Sequence, residues 1–269
     1  MDPLSVTLIQ TFLHWEDPVN NLEHFRRLLD RIDGRPDLIL LPEMFNTGFS
    51  INPRRFAETM EGPSLGFIRE QAALRNSAIM ATLLIRDQGF FYNRLICVFP
   101  DGRIQTYDKR HLFRLSEEYR IIHAGNKKSL IEIKGWKLMP MICYDLRFPV
   151  WSKNTYDNGQ YAYDALICLA NWPESRNQVW ETLLKARAIE NQVFSIGVNR
   201  IGEDGHGTNH TGESLVVDAK GNILKKAASG KEAIETVFLS GQDLQIFRDS
   251  FTVGMDWDRF TLDQNEEHG

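Results

Sequence analysis

Three short runs, Asp37–Leu41, Leu138–Ile142 and Asp164–Ala170, constrain this chain most, because beyond the opening aspartates they are almost wholly apolar. A strand with one wet face alternates polar and apolar residues, whereas a run that is apolar throughout must be covered on both faces. Each run ends where chemistry-bearing residues begin: Pro42-Glu43, Cys143-Tyr144-Asp145, and Asn171-Trp172-Pro173.

The segments between them supply the cover. Leu4–Thr11 reads as a first strand, and Asn21–Arg31 as a helix with Leu22, Phe25, Leu28 and Leu29 at helical spacing. A second helix opens at Gly62-Pro63-Ser64 and runs to about Asn76, with Leu65, Ile68 and Leu74 turned inward. Ala78–Arg86, Phe90–Phe99 and Arg103–Tyr107 form a meander through the Pro100-Asp101-Gly102 turn, and Asp108–Ala124 keeps no sustained period. Ser129–Ile133 and Lys137–Ile142 pair around Gly135. The clearest helix is Asn177–Gln192, whose Val179, Leu183, Ala186 and Ile189 track one stripe. Val193–Val198 is the next strand. Glu213–Asp218 and Ala233–Leu239 flank a Lys220-Gly221-Asn222 turn and the charged stretch Lys225–Lys231, read as a solvated face. Helices alternating with buried strands, interrupted by hairpins, predict an α/β fold with mixed sheets. No linker or internal repeat divides the chain, so residues 1–262 are expected to form one domain, with 263–269 a polar, frayed tail.

The formal charge of −5, with no basic arm, argues against a nucleic-acid partner. No apolar run approaches the roughly 20 residues that span a bilayer. The N-terminal segment lacks the basic leader and small-residue cleavage site of a secretory signal. Three cysteines, Cys97, Cys143 and Cys168, without C-x-x-C spacing fit a reducing compartment and neither a disulfide framework nor a zinc site. The expectation is a soluble cytoplasmic protein.

Glu43, Lys109 and Cys143 each stand just after a strand-like run, where sheets flanked by helices collect their ligand sites. A thiol, a carboxylate and an ammonium are a coherent set for amide hydrolysis. The thiolate attacks, the ammonium depresses the thiol pKa, the carboxylate moves the proton, and Lys109 with the backbone N–H after Cys143 suits the developing oxyanion.

The segments Leu40-Leu41-Pro42-Glu43-Met44-Phe45, Tyr107-Asp108-Lys109-Arg110-His111-Leu112-Phe113 and Ile142-Cys143-Tyr144-Asp145-Leu146-Arg147-Phe148-Pro149 resemble, in this order, the three signature blocks of the nitrilase, or carbon–nitrogen hydrolase, superfamily. Ala170-Asn171-Trp172-Pro173, Trp180–Asn191 and Gly212-Glu213-Ser214 are similar to its later blocks. The resemblance implies a four-layer α-β-β-α sandwich, a Glu43-Lys109-Cys143 triad, no metal or organic cofactor, and a homodimer paired through the helical face. It also implies a second glutamate between the lysine and the cysteine, matched by Glu118 with Glu117 as competitor. The run Lys109–Arg114 and Arg147-Phe148-Pro149-Val150-Trp151 look like the bacterial ω-amidase branch, which hydrolyses the terminal amide of 2-oxoglutaramate and 2-oxosuccinamate. Relatives often carry an acid where Val150 stands. Tyr144-Asp145 after the cysteine favours an amide over a nitrile.

Other amidases of the superfamily, for deaminated glutathione, N-carbamoyl amino acids or monocarboxylic amides, are the alternative substrates, and a nitrilase-like binding module is the non-enzymatic one. Tyr144, Arg147, Phe45 and Trp172 are the expected substrate contacts, with Phe113 and Tyr119 as further aromatic walls. Arg147 either offers its planar fork to a substrate carboxylate or pairs with Asp145, itself read as the carboxylate that holds the turn after the nucleophile. Cys97 and Cys168 read as inert core. His206 and His210, four apart, sit in a glycine-rich loop, which argues against a helical metal site.

Overall fold

The computed structural model describes residues 1–262, so the tail expected to fray lies outside the described residues. Two six-stranded sheets carry the fold. Their strands in chain order are β1 (Leu4–Gln10), β2 (Leu38–Leu40), β3 (Ala78–Asp87), β4 (Phe90–Val98), β5 (Ile104–Asp108), β6 (Ile131–Ile133), β7 (Trp136–Ile142), β8 (Ala165–Ala170), β9 (Phe194–Asn199), β10 (Leu215–Val217), β11 (Ile223–Lys226) and β12 (Ala233–Leu239). The first sheet runs β12-β1-β2-β3-β4-β5 and the second β6-β7-β8-β9-β10-β11. Read in those directions, each shows the same succession: antiparallel, parallel, parallel, antiparallel, antiparallel. The sequence carries no matching repeat, so the shared pattern belongs to the backbone alone.

Helices α1 (Pro18–Asp30) and α2 (Pro63–Arg75) cover the outer face of the first sheet, where Phe25, Leu28, Leu29, Leu65, Ile68 and Ala72 pack on Ile9, Ile39, Ile79 and Ala81. Alternate residues of the same strands, Val6, Leu8, Leu38, Leu40, Met80 and Cys97, join the core shared with the second sheet. Helix α3 (Asn177–Asn191) covers that sheet's far face and completes the α-β-β-α sandwich. Gly197 of β9 permits the close approach: a Cβ there would lie 2.4 Å from Leu184 and 2.5 Å from Trp180. The last helix, α4 (Gly241–Ser250), is capped by the Ser240 side chain, which accepts from the Asp243 N–H.

The α3 stripe differs from the sequence expectation. Trp180, Leu184, Arg187, Ala188 and Asn191 are its buried residues, and Ile189 is 53% exposed. Polar side chains hold part of the inner face: Arg187 donates to the Leu146 carbonyl at 2.7 Å, and Asn191 accepts from the Asn154 N–H at 2.8 Å. An apolar-only stripe therefore misses the true orientation. Leu74 is exposed because, at about 3.6 residues per turn, it falls on the face of α2 opposite Leu65, away from the buried Leu65, Ile68 and Ala72. Part of the charged 225–231 stretch is strand β11, whose Lys225 and Lys226 pair with Glu235 and with Glu181 and Glu213.

Candidate active site

Glu43 lies three residues past β2, fully buried, with the left-handed Met44 (φ 46°) turning the chain away behind it. Lys109 follows β5 directly, and its N–H bonds the Asn93 carbonyl of β4 at 3.0 Å. Cys143 follows β7 directly, opens a single 3₁₀ turn (Cys143–Arg147) and has φ 43°. A non-glycine residue in the left-handed region carries strain of about 1–3 kcal/mol, held only where the surroundings over-determine it.

Asp145 provides much of that determination. Its buried carboxylate accepts from the Tyr107 hydroxyl (2.8 Å), the His111 N–H (2.9 Å) and the Ile142 N–H (3.1 Å), and contacts His111 Nδ1 at 2.8 Å. Trp151 Nε1 donates to the Tyr107 hydroxyl at 2.9 Å, which joins the end of β5 to the segment after Cys143. Asp145 thus holds the turn, and its side-chain partners do not include Arg147.

Lys109 Nζ sits between two buried carboxylates, 3.0 Å from Glu43 Oε1 and 3.0 Å from both oxygens of Glu118. Of the two candidates for a second glutamate, Glu118 is the one beside Lys109. Glu117 is exposed and pairs with Arg120 at 3.0 Å. Burial alone would pull the Lys109 ammonium down, but the charges of Glu118 and Glu43 outweigh it and hold the ammonium above its ordinary value. Burial raises the Glu118 carboxyl, against Lys109.

Two asparagines, unsuspected as site residues in the sequence, complete the cluster. Asn93 Nδ2 donates to Glu43 Oε1 at 2.8 Å and to Glu118 Oε1 at 3.3 Å. The Asn171 N–H donates to Glu43 Oε2 at 2.8 Å, while Asn171 Nδ2 donates to the Glu43 carbonyl at 2.6 Å. An Asn within the strand-like run of β4 was the available signal for the first, since Asn is disfavoured in strands. The second sits in the Asn171-Trp172-Pro173 block.

The Cys143 thiol approaches the Asn171 carbonyl at 3.7 Å. Burial pushes this thiol well above its ordinary value, Glu43 adds to the effect, and Lys109 only partly opposes it. The ammonium does pull the thiol down, as expected, but burial and the Glu43 charge outweigh it. Cys97 and Cys168 are fully buried, and burial pushes Cys97 up to about 12.

Cys143 and Lys109 open into a cavity of about 380 Å³ walled by Phe49, Phe113, Tyr144, Arg147, Trp172 and Arg176. Phe45 is absent from the wall. Its ring lies in the outer core, 5.2 Å from Phe25 and 6.4 Å from Phe67, because the left-handed Met44 sends the next side chain toward α1 and α2. The aromatic the sequence reading missed is Phe49, whose ring centroid is 5.2 Å from Lys109 Nζ. Tyr119 also stays outside, between Arg114 and Arg120. His206 and His210 reach the cavity from a hairpin, Ile201–Glu203 with Asn209–Thr211, and no cluster of three or more metal-ligating side chains occurs among the described residues.

An α-β-β-α sandwich with a thiol beside a buried carboxylate–ammonium–carboxylate cluster defines the class. The chain belongs to the carbon-nitrogen hydrolase family, which it matches over residues 5–248, and it is accordingly a hydrolase of amide C–N bonds. It is 41% identical to omega-amidase YafV of Yersinia enterocolitica over 97% of this chain and 100% of that protein. It is 29% identical to 2-oxoglutaramate amidase of Bacillus subtilis, over 90% of this chain and 91% of that protein. Among solved structures, XC1258 of Xanthomonas campestris, a CN-hydrolase superfamily protein with an arsenic adduct in its active site, superposes with a TM-score of 0.95 at 40% identity, covering 98% of this chain and 100% of that one.

Proposed function

We propose that this chain is an ω-amidase-type amidohydrolase that converts small 2-oxo dicarboxylic acid monoamides, 2-oxoglutaramate and 2-oxosuccinamate, into the 2-oxo acid and ammonia through a Cys143 thioester. The observation that carries the reading is the buried Glu43–Lys109–Glu118 cluster beside a cavity-facing thiol. The likeness to proteins named omega-amidase and 2-oxoglutaramate amidase supports the substrate class.

Because burial favours the neutral thiol, the proton leaves only as Sγ attacks the amide carbonyl, with Glu43 as the acceptor. The oxyanion is received by the Lys109 ammonium and the Tyr144 backbone N–H. Glu43 then returns the proton to the amide nitrogen, the C–N bond breaks, and ammonia departs. Water attacks the thioester with Glu43 again as base, and C–S cleavage restores the thiol and releases the acid. Glu118 keeps Lys109 charged and in place. Arg147, over the Trp172 ring at 4.9 Å, reads the substrate's far carboxylate, with Tyr144 and Trp172 as walls.

Ammonia release across 2-oxoglutaramate, glutamine, carbamoyl-β-alanine and simple amides tests the assignment, with preference for the oxo-acid amide expected; no turnover of oxo-acid amides would sink it. Cys143→Ala should abolish turnover, and surviving activity would overturn the thioester route.

We further place the protein in the reducing cytoplasm, consistent with three unpaired cysteines, as one domain over residues 1–262 and as a homodimer paired through its helical face. Val150 and Ile189 are exposed on adjoining segments of that face, tied where Lys153 donates to the Glu190 carbonyl at 2.7 Å. Sedimentation showing a monomer at micromolar concentration would refute the pairing.

A further inference from the structure

Two arginines wall the cavity, and neither has an ion-pair partner among the described residues. The acids near them are engaged elsewhere. Glu117 pairs with Arg120, and Asp204 accepts from the His206 and Thr208 backbone N–H groups at 2.8 and 2.9 Å. Lys109 is held by Glu43 and Glu118. Backbone donors leave Asp204 its charge, but among the described residues no carboxylate pairs with Arg147 or Arg176, so both guanidiniums stand without a counter-ion in contact.

Both guanidiniums are held by apolar surface instead of by acids. Arg147 lies over Trp172 at 4.9 Å, and Arg176 over Phe113 at 5.6 Å. Trp172 links the pair, for its indole Nε1 donates to the Arg176 carbonyl at 2.9 Å and fixes the short 3₁₀ turn Glu174–Arg176. Phe113 in turn packs edge-on against Tyr144 at 5.2 Å, which ties the ring under Arg176 to the residue after Cys143. An aromatic platform orients a guanidinium without consuming its donors, so both forks stay free for a planar anion.

We propose that Arg176 is a specificity-determining residue: with Arg147 it forms a two-guanidinium clamp that grips the carboxylate at the far end of the substrate from the scissile amide. The proposal rests on the oxo-acid amidase reading and extends it, because a two-cation clamp selects amides carrying an anion at that end. The interaction is made equally in ground and transition states, so its loss acts on KM more than on kcat.

The test compares 2-oxoglutaramate with its methyl ester, which lacks the far-end charge, in the parent enzyme and in Arg176→Ala, Arg176→Lys and Arg147→Ala. Arg176→Ala should raise KM for the acid at least about tenfold with kcat within about threefold, and leave kcat/KM for the ester within about threefold. Arg176→Lys should fall between. An unchanged KM for the acid, or a parallel loss on acid and ester, overturns the clamp. Calorimetric binding of 2-oxoglutarate to Cys143→Ala protein, with and without Arg176→Ala, reads the clamp apart from turnover. If the parent enzyme turns over no oxo-acid amide yet 2-oxoglutarate binds at least about tenfold more weakly without Arg176, the activity reading falls and the clamp stands. Equal affinity in the two proteins, or no binding to either, refutes the clamp.

Discussion

Glu118→Gln isolates the electrostatic role of the buried cluster with little change of shape. Glutamine still accepts from the Phe113 N–H, a bond of 2.7 Å in the parent, and can still accept from Lys109. The charge is removed, and an amide nitrogen in place of Oε1 turns the Lys109 and Asn93 contacts on that side into donor–donor ones, which adds to the loss. Since Glu43 Oε1 and Glu118 Oε1 each lie 3.0 Å from Lys109 Nζ, the two oxygens are no more than about 6 Å apart. Two like charges at about 6 Å with an effective dielectric constant of about 20 repel by about 3 kcal/mol, and Glu43 loses that much basicity when its neighbour is neutral. If the proton that Glu43 takes from the Cys143 thiol is substantially transferred in the acylation transition state, kcat/KM falls by about a hundredfold. Steady-state ammonia release between pH 5 and 9 measures the loss, and thermal unfolding checks that the variant is folded. A folded Glu118→Gln enzyme within threefold of the parent at every pH would refute the reasoning.

Asp145→Asn leaves a carboxamide facing donors that a carboxylate satisfied, so at least one of the Tyr107, His111 and Ile142 hydrogen bonds becomes a donor–donor contact. A cost of about 3 kcal/mol is expected, or about 6–12 °C in Tm, with activity lost as the Cys143 turn relaxes. A Tm within 2 °C of the parent would show that the carboxylate does not hold the turn. His210 gives the pH test. Burial, with Arg200 adding, pulls its imidazole down from 6.5 to about 4. Below the ordinary value the unfolded chain takes up a proton that the folded chain refuses, so this contribution is intact above about pH 6.5 and is lost progressively toward pH 4, by about 3 kcal/mol. Urea unfolding of the parent and His210→Gln should converge as the pH falls through that window; parallel curves would refute the assignment.

Much of the first-sheet framework was legible because its strands and helices keep strong local periods. β1, α1, α2 and the meander β3-β4-β5 fall within a few residues of the expected bounds. Readings failed where tertiary contacts overrode hydrophobicity. Arg187 and Asn191 face inward on α3 because backbone groups of the segment after Cys143, at Leu146 and Asn154, satisfy them, which no apolar count can register. Phe45 follows the left-handed Met44 into the outer core, and Phe49 follows the left-handed Gly48 (φ 72°) to Lys109; sequence gives no sign that a methionine adopts positive φ. Arg147 near Asp145 read equally well as an ion pair, because proximity in sequence says nothing about competing donors. Tyr107 and His111, brought from another sheet, occupy the carboxylate first. The Glu43, Lys109 and Cys143 positions were visible because Lys109 and Cys143 follow strands directly and Glu43 stands three residues past the buried β2, and a strand end fixes a side chain without help from distant loops.

That placement also explains why the site needs both sheets. Glu43, Lys109 and Asn93 come from the first sheet, and Cys143, Asp145 and Asn171 from the second. The apolar filling between them, Leu38, Leu40 and Met80 against Leu138, Met141 and Leu169, is non-directional, and alone it would tolerate small sliding of one sheet over the other. A slip of 1 Å would ruin a proton transfer from thiol to carboxylate. Directional bonds at the strand ends remove that freedom. Asn171 grips Glu43 through both backbone and side chain, and Asp145 binds the Tyr107 hydroxyl and the His111 N–H. The charged ends of these bonds are buried, where a lost partner costs several kcal/mol, so register and reactivity are fixed by the same groups.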